Sequence, residues 1–249
     1  MYFSIVGTNV RLAGTLHRWP SDAGDCELPT WVWEAYKWSE ELCFEMDMSK
    51  IGAIARFPDG DSLERKLPAD VWAALRDAYP PEVNLGAVKQ WALLFELQTL
   101  GIPMVDGVEP QISRQALMDL KPIHYLETAE EFAALTTALS DDQYAELLLR
   151  VLRDRAGFRK ALYTMHEVWL TGSLAEVTRP LPATLLGIPE ISDLILTARN
   201  RHWFPRLLDT IASGRRVLVG VGAAHLPGTN GLLYLLRRAG YDTQLVRQV

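Results

Sequence analysis

Two of the five histidines sit in the same four-residue frame, Gly14-Thr15-Leu16-His17 and Gly222-Ala223-Ala224-His225. With 17 glycines and five histidines in 249 residues, about 0.3 such matches arise from composition alone, so the pair is a modest excess. Each motif follows an apolar run, residues 10–13 and 217–221, and a proline follows each His within three residues. A glycine at a strand end lets the backbone turn sharply, or lets a ligand approach where a Cβ would clash. The histidine three residues on is then carried by the strand's carboxyl end, where open α/β sheets collect their ligands. Neutral imidazole is a common transition-metal ligand and works with carboxylates. Glu45 lies in the apolar run 42–48, where a carboxylate costs free energy unless it is paired, metal-bound or protonated. Glu127 closes another apolar run. Two histidines with one or two glutamates make an open metal site with room for a water nucleophile.

Blander roles compete for the same residues. Glu45 also suits an exposed edge strand, and Glu127 suits the first turn of a helix behind Thr128. His124, His166 and His202 read as surface or structural residues. The pair Arg199-Asn200 lies in a helical stretch; a guanidinium fork and an amide there orient a carboxylate or hold an oxyanion, or simply form a solvated basic face.

The elements that must position these groups are read from periodicity and turn chemistry. Tyr2–Val6 and Val10–Ala13 read as strands joined by a hairpin at Gly7-Thr8-Asn9. A loop spans Arg18 to Pro29, then a Trp-rich helix covers Thr30 to Ser39. Leu42–Met48 reads as a strand and Gly52–Phe57 as another. Pro68 opens a helical region, and Leu85, Val88, Trp91, Ala92 and Phe95 mark a second helix. Lys121–Leu126 reads as a short strand. Thr128-x-x-Glu131 and Ser140-x-x-Gln143 have the form of capping boxes, and 128–212 reads as mostly helical, broken near Gly172, Pro180, Pro182 and Pro189. The chain closes with strand Arg216–Val221, a helix over 229–239 ended by Gly240, and strand Asp242–Val246. The expectation is an α/β (α+β-like) fold: a mixed central sheet from N- and C-terminal strands, with a largely helical middle insert, in one domain over 1–249.

Composition narrows the function classes. Apolar residues make up 49% and charged residues 22%, which excludes a disordered chain. A net charge of −6 without a Lys/Arg stripe argues against nucleic acid as a partner. No stretch reaches the ~18 apolar residues of a membrane span, and no signal-peptide pattern opens the chain, so it reads as cytoplasmic. Cys26 and Cys43 are too few for a disulfide framework, though one bridge between them stays open. Trp31, Trp33 and Trp38 either line an aromatic groove or pack a core or an oligomer interface.

In this order and spacing the pieces resemble the TraB/GumN (Tiki-like) family. The likeness runs through Leu12-Ala13-Gly14-Thr15-Leu16-His17, Glu45-x-Asp47, Gly107-Val108-Glu109 with Ala116, Leu126-Glu127-Thr128, Trp169-x-x-Gly172 and Arg199-Asn200-x-x-Trp203, and is most specific over residues 217–246. The family pattern usually has Asp at Glu109 and at Ser173 and an acid at Ala198, and its Gln soon after Leu-Glu-Thr is not evident. The resemblance implies a fold related to erythromycin esterase and haem-binding ChaN-like proteins. Tiki members are described as metal-dependent proteases acting on Wnt, and plasmid TraB members as suppressors of peptide pheromones.

It also implies a site of His17, Glu45 and His225, with Glu127, Arg199 and Asn200 nearby. The leading expectation is therefore a metal-dependent, peptidase-like hydrolase. His17, Glu45 and His225 would bind a divalent Mn, Co or Zn ion, and Glu45, Glu127, Arg199 and Asn200 would be catalytic. The substrate would be a peptide or other small molecule, with a homo-oligomer left open. The alternatives are a metal-free esterase with His as general base, or a non-catalytic peptide- or cofactor-binding protein.

Overall fold

The run VLVGVG at Val217–Gly222 is apolar at almost every position and buried almost throughout, the pattern of a strand covered on both faces. In the computed structural model, which describes residues 1–24 and 27–246, it is the inner strand β7 of a six-stranded mixed sheet. With β1 Tyr2–Ile5, β2 Val10–Thr15, β4 Glu41–Phe44, β6 Ile123–Tyr125 and β8 Thr243–Leu245, the order is β6-β4-β7-β2-β1-β8. β2, β7, β4 and β6 run parallel, and β1 is antiparallel to both β2 and β8. The expected α/β class and mixed sheet are therefore observed.

Register sets the site. Thr15 stands opposite Gly222 and Phe44 opposite Tyr125. The chain just past the ends of these four parallel strands carries His17, His225, Glu45 and Glu127 at the carboxyl end of the sheet. The backbone N–H of Glu127 donates to the Glu45 carbonyl at 2.9 Å, extending the β4–β6 pairing to the two acids.

The chain packs as two compact units. The first comprises 1–46, 103–127 and 161–249. Beside the sheet it contains helices α1 Thr30–Trp38, α2 Val108–Met118, α3 Arg199–Ala212 and α4 Leu232–Arg238, and a second small sheet pairing β3 Arg18–Pro20 with β5 Met104–Asp106. Trp31 packs in the core of this unit, stacked 6.0 Å from Tyr2, and the Trp38 ring lies 4.0 Å from the Arg11 guanidinium. His166 is likewise buried against Trp19, 5.2 Å away.

The second unit, 47–102 and 128–160, is helical. Both predicted capping boxes are present: Thr128 and Ser140 accept from the backbone of Glu131 and Gln143, whose side chains reach back to the cap N–H groups.

Three local expectations are corrected. The segment read as strand Gly52–Phe57 is a helical turn, Ile51–Ile54, because the Asp47 side chain caps the preceding turn through Ser49 N–H; only Arg56 makes an isolated bridge, to Val88. The strand read as 42–48 stops at Phe44, and the Arg18–Pro29 loop begins with β3. Cys43 is buried in β4, whereas Cys26 lies outside the described residues. Among the described residues no helix is long and apolar enough to cross a membrane.

Candidate functional site

Six residues singled out from sequence, His17, Glu45, Glu127, Arg199, Asn200 and His225, meet in the first unit. A π-helical turn, Asp193–Ala198, feeds directly into α3, a feature that tends to mark functional positions. It opens α3 on Arg199-Asn200. Arg199 is 4% exposed and bridges two buried acids: Nη2 donates to Glu45 Oε2 at 2.6 Å and Nε to Glu127 Oε1 at 2.9 Å. One turn on, the Trp203 ring lies 4.4 Å from the Arg199 guanidinium and 4.5 Å from the His225 ring. Asn200 serves the second motif. Its Nδ2 donates to the carbonyls of His225 and Asn230 at 3.1 and 2.8 Å, which leaves Oδ1 facing His225 Nδ1 at 2.7 Å.

That arrangement fixes a tautomer. An amide whose nitrogen faces two carbonyls must present its oxygen to the ring, so His225 Nδ1 carries the hydrogen and Nε2 keeps its lone pair. Nε2 stands 3.7 Å from Glu45 Oε1. His17 Nε2 stands 3.5 Å from the same oxygen, and His17 Nδ1 lies 3.1 Å from Glu109 Oε1. Gly222 N–H donates to Glu45 Oε1 at 2.6 Å. Gly222 also keeps the space clear: a Cβ there would lie 3.3 Å from Glu45 Oε1 and 3.5 Å from His17 Nε2.

Electrostatics divides the two histidines. Burial above all pushes His225 down to about 3; Glu45 opposes this, and the Arg199 and His17 cations add to it. His17, whose side chain is 46% exposed, goes the other way. What burial it has disfavours the charged ring, but the Glu109 and Glu45 carboxylates outweigh it and hold the pKa well above the usual histidine value. For Glu45, burial favours the neutral acid, yet Arg199 with His17 and His225 keeps it well below the ordinary carboxylate range. In Glu127 burial wins over Arg199 and the pKa is raised. A single guanidinium cannot fully offset two buried carboxylates, and Glu45, the one also facing His17, is held ionised.

Sequence reasoning did not place Glu109 in the site, although Gly107-Val108-Glu109 stood among the quoted motifs. It sits in the first turn of α2, 6% exposed, and its Oε1 accepts from the Thr15 hydroxyl. Trp169, from another quoted motif, donates its indole N–H to the Gly14 carbonyl at 2.9 Å. His124 and His202 are exposed and outside the cluster. Among the described residues, no group of three or more His, Cys, Asp and Glu side chains is set to hold a metal ion as it stands.

The fold and the site together define an α/β protein with a His–Glu–His cluster on the carboxyl ends of its parallel strands. The chain belongs to the TraB/PrgY/gumN family, whose sequence profile matches residues 4–244. It is similar to the uncharacterized protein YbaP of Escherichia coli (strain K12), 27% identical over 236 residues that cover 91% of this chain and 87% of the relative. The YbaP of Shigella flexneri matches to the same extent. No solved structure matches.

Proposed function

We propose that the chain is a hydrolase of peptide or other amide bonds, in which His17, Glu45 and His225 hold a divalent cation such as Mn²⁺, Co²⁺ or Zn²⁺. One observation carries this reading. The His225 Nε2 lone pair and the Glu45 Oε1 carboxylate oxygen face each other at 3.7 Å with no proton between them. Two lone-pair donors this near, with the charged ring of His17 beside the same Glu45 oxygen, make a place where a cation is favoured. The separations of 3.5 and 3.7 Å lie within a few tenths of an ångström of the roughly 3.4 Å between two ligands of one tetrahedral zinc ion, so the side chains would draw together to hold such an ion.

When bound, the ion supplies Lewis acidity, which acidifies water and polarises a carbonyl. The chain's own groups do the rest. Asn200 holds His225 in the tautomer that offers Nε2. Arg199 keeps Glu45 ionised through Oε2, so Oε1 remains basic towards the cluster, as a ligand or as the acceptor of a water proton. Glu127 orients Arg199 from the other side. Arg199 and Asn200 thus act as positioning residues here, since the guanidinium is committed to two carboxylates and the amide to His225 and Asn230, rather than as oxyanion donors. His17, the exposed member, is the group a substrate meets first.

A second reading has one observation in its favour: with Glu109 holding Nδ1, the exposed His17 ring, once it has given up the proton on Nε2, is also placed as a general base for metal-free ester hydrolysis. The test incubates the full chain with peptide, amide and ester pools, with each metal or with exhaustive chelation, and reads products by mass spectrometry. Amide cleavage that needs metal and is lost in a folded His17→Ala variant supports the proposal. Ester cleavage that survives chelation transfers the argument to the second reading. No turnover under any condition refutes both hydrolase readings and leaves a binding protein.

A further inference from the structure

Each of the two histidines has a side-chain oxygen against its Nδ1. For His225 the holder is Asn200. For His17 the corresponding atom is Glu109 Oε1, 3.1 Å from Nδ1. We propose that Glu109 is the positioning residue of His17: its Oε1, anchored by the Thr15 hydroxyl, takes the Nδ1–H and turns Nε2 towards Glu45 and His225. The proposal rests on the hydrolase reading only for its consequence on metal; the positioning itself is a property of the metal-free chain.

Three features separate this role from ordinary helix chemistry. An acid in a first helical turn commonly serves the helix N–H groups. Here the N–H groups of Gly107 and Val108 are spent elsewhere, on the carbonyls of His17 and Leu16 at 2.7 and 2.9 Å, and Oε1 faces Thr15 and His17. Those two backbone bonds dock the start of α2 against the segment carrying His17. The approach is close enough that a Cβ on Gly107 would fall 1.9 Å from the Leu16 carbonyl oxygen, so only glycine admits it. Finally, Glu109 Oε2 is buried with no hydrogen-bond partner. A half-satisfied buried carboxylate is unfavourable for folding, so stability alone does not account for the residue.

The difference between the holders matters chemically. A carboxylate on the distal nitrogen makes an imidazole a more basic ligand than a neutral amide does. Glu109 therefore makes His17 the stronger donor of the pair, and Asn200 leaves His225 the weaker.

The test uses the full chain labelled with ¹⁵N-histidine, wild type beside Glu109→Gln, Glu109→Ala and Thr15→Val, read by long-range ¹H–¹⁵N spectra without metal and by zinc titration. The expected result is a slowly exchanging His17 Nδ1–H resonance, assigned by its loss in His17→Asn, that persists in Glu109→Gln and disappears in Glu109→Ala. Thr15→Val, which keeps the shape but removes the anchoring hydroxyl, weakens it. Zinc binds about 10–100-fold more weakly to Glu109→Ala, with partial rescue in Glu109→Gln, and Glu109→Gln melts no lower than wild type at a pH where His17 is neutral. An unchanged Nδ1–H in Glu109→Ala overturns the proposal, as does a Glu109→Gln variant that loses stability and resonance together. A wild type that shows the Glu109-dependent resonance yet binds no zinc supports the positioning role and refutes the metal reading.

Discussion

Replacing Arg199 by methionine removes the cation that bonds directly to both Glu45 and Glu127, and leaves side-chain volume nearly unchanged. Both acids and the guanidinium are under a tenth exposed, so solvent screens little of the loss. Removing one partner of a buried ion pair costs about 3–5 kcal/mol. At roughly 2–4 °C per kcal/mol for a chain of this size, the melting midpoint falls by about 6–20 °C.

The deficit depends on pH with a definite sign. In the wild type, Glu45 has a folded pKa depressed below its unfolded value, so its contribution is present above about pH 4.5 and lost as pH falls through the folded value. In Arg199→Met both carboxylates are buried without their cation, and their folded pKa values lie above the unfolded one. The folded variant then holds protons that its unfolded chain has released, and it loses stability as pH rises from about 4.5 upwards. The variant is thus close to wild type near pH 5 and furthest from it at pH 8. Urea denaturation at both values measures this, and Arg199→Met/Glu127→Gln, with one carboxylate fewer, recovers part of the deficit at pH 8. A deficit under about 1 kcal/mol, or one that does not change between pH 5 and pH 8, refutes the reasoning.

Further outcomes follow from the same geometry. His225, with a folded pKa of about 3, stays neutral while the unfolded chain takes up its proton near pH 6.5; its contribution is complete above 6.5 and is lost as pH falls towards 3, so its imidazole resonances do not titrate above pH 4. His17 behaves in the opposite sense, because its raised pKa adds stability below 6.5 that is lost as pH rises through the folded value; its resonances titrate well above 6.5. Gly222→Ala places a methyl 3.3 Å from Glu45 Oε1, and displacing the cluster by a few tenths of an ångström lowers metal affinity or turnover about 10–100-fold while circular dichroism shows the fold retained. Asn200→Ala strips the His225 and Asn230 carbonyls of their donor and destabilises by about 1–3 kcal/mol, with His225 populating both neutral tautomers in ¹⁵N spectra.

The residues of the cluster were legible because each stands just past a strand end or opens a helix, and because carboxylates and histidines beside apolar runs need partners. Their division of labour was not. Arg199 and Asn200 read either as orienting a carboxylate or as holding an oxyanion, and a sequence does not show that Glu45, Glu127 and His225 occupy them. Glu109 carried no role of its own in the sequence, and the docking of Gly107 and Val108 on the His17 segment turns it inwards. In the fold, the hairpin, the capping boxes and the buried run of β7 carried strong local signals. The β3–β5 pair did not, because three residues per strand leave no alternation to read. The turn at 51–54 was misread because an apolar run fits helix and strand alike, and the Asp47–Ser49 cap decides it.

The central claim is that His17, Glu45 and His225 together hold a divalent cation, and elemental analysis tests it most directly. The untagged full chain is reconstituted with Mn²⁺, Co²⁺ or Zn²⁺, desalted, and compared with His17→Ala, a substitution at an exposed side chain that leaves the fold intact. The account predicts near-stoichiometric metal in the wild type and its loss in the folded variant. Wild-type protein that retains no metal after reconstitution, or a His17→Ala variant that retains as much as wild type, contradicts it.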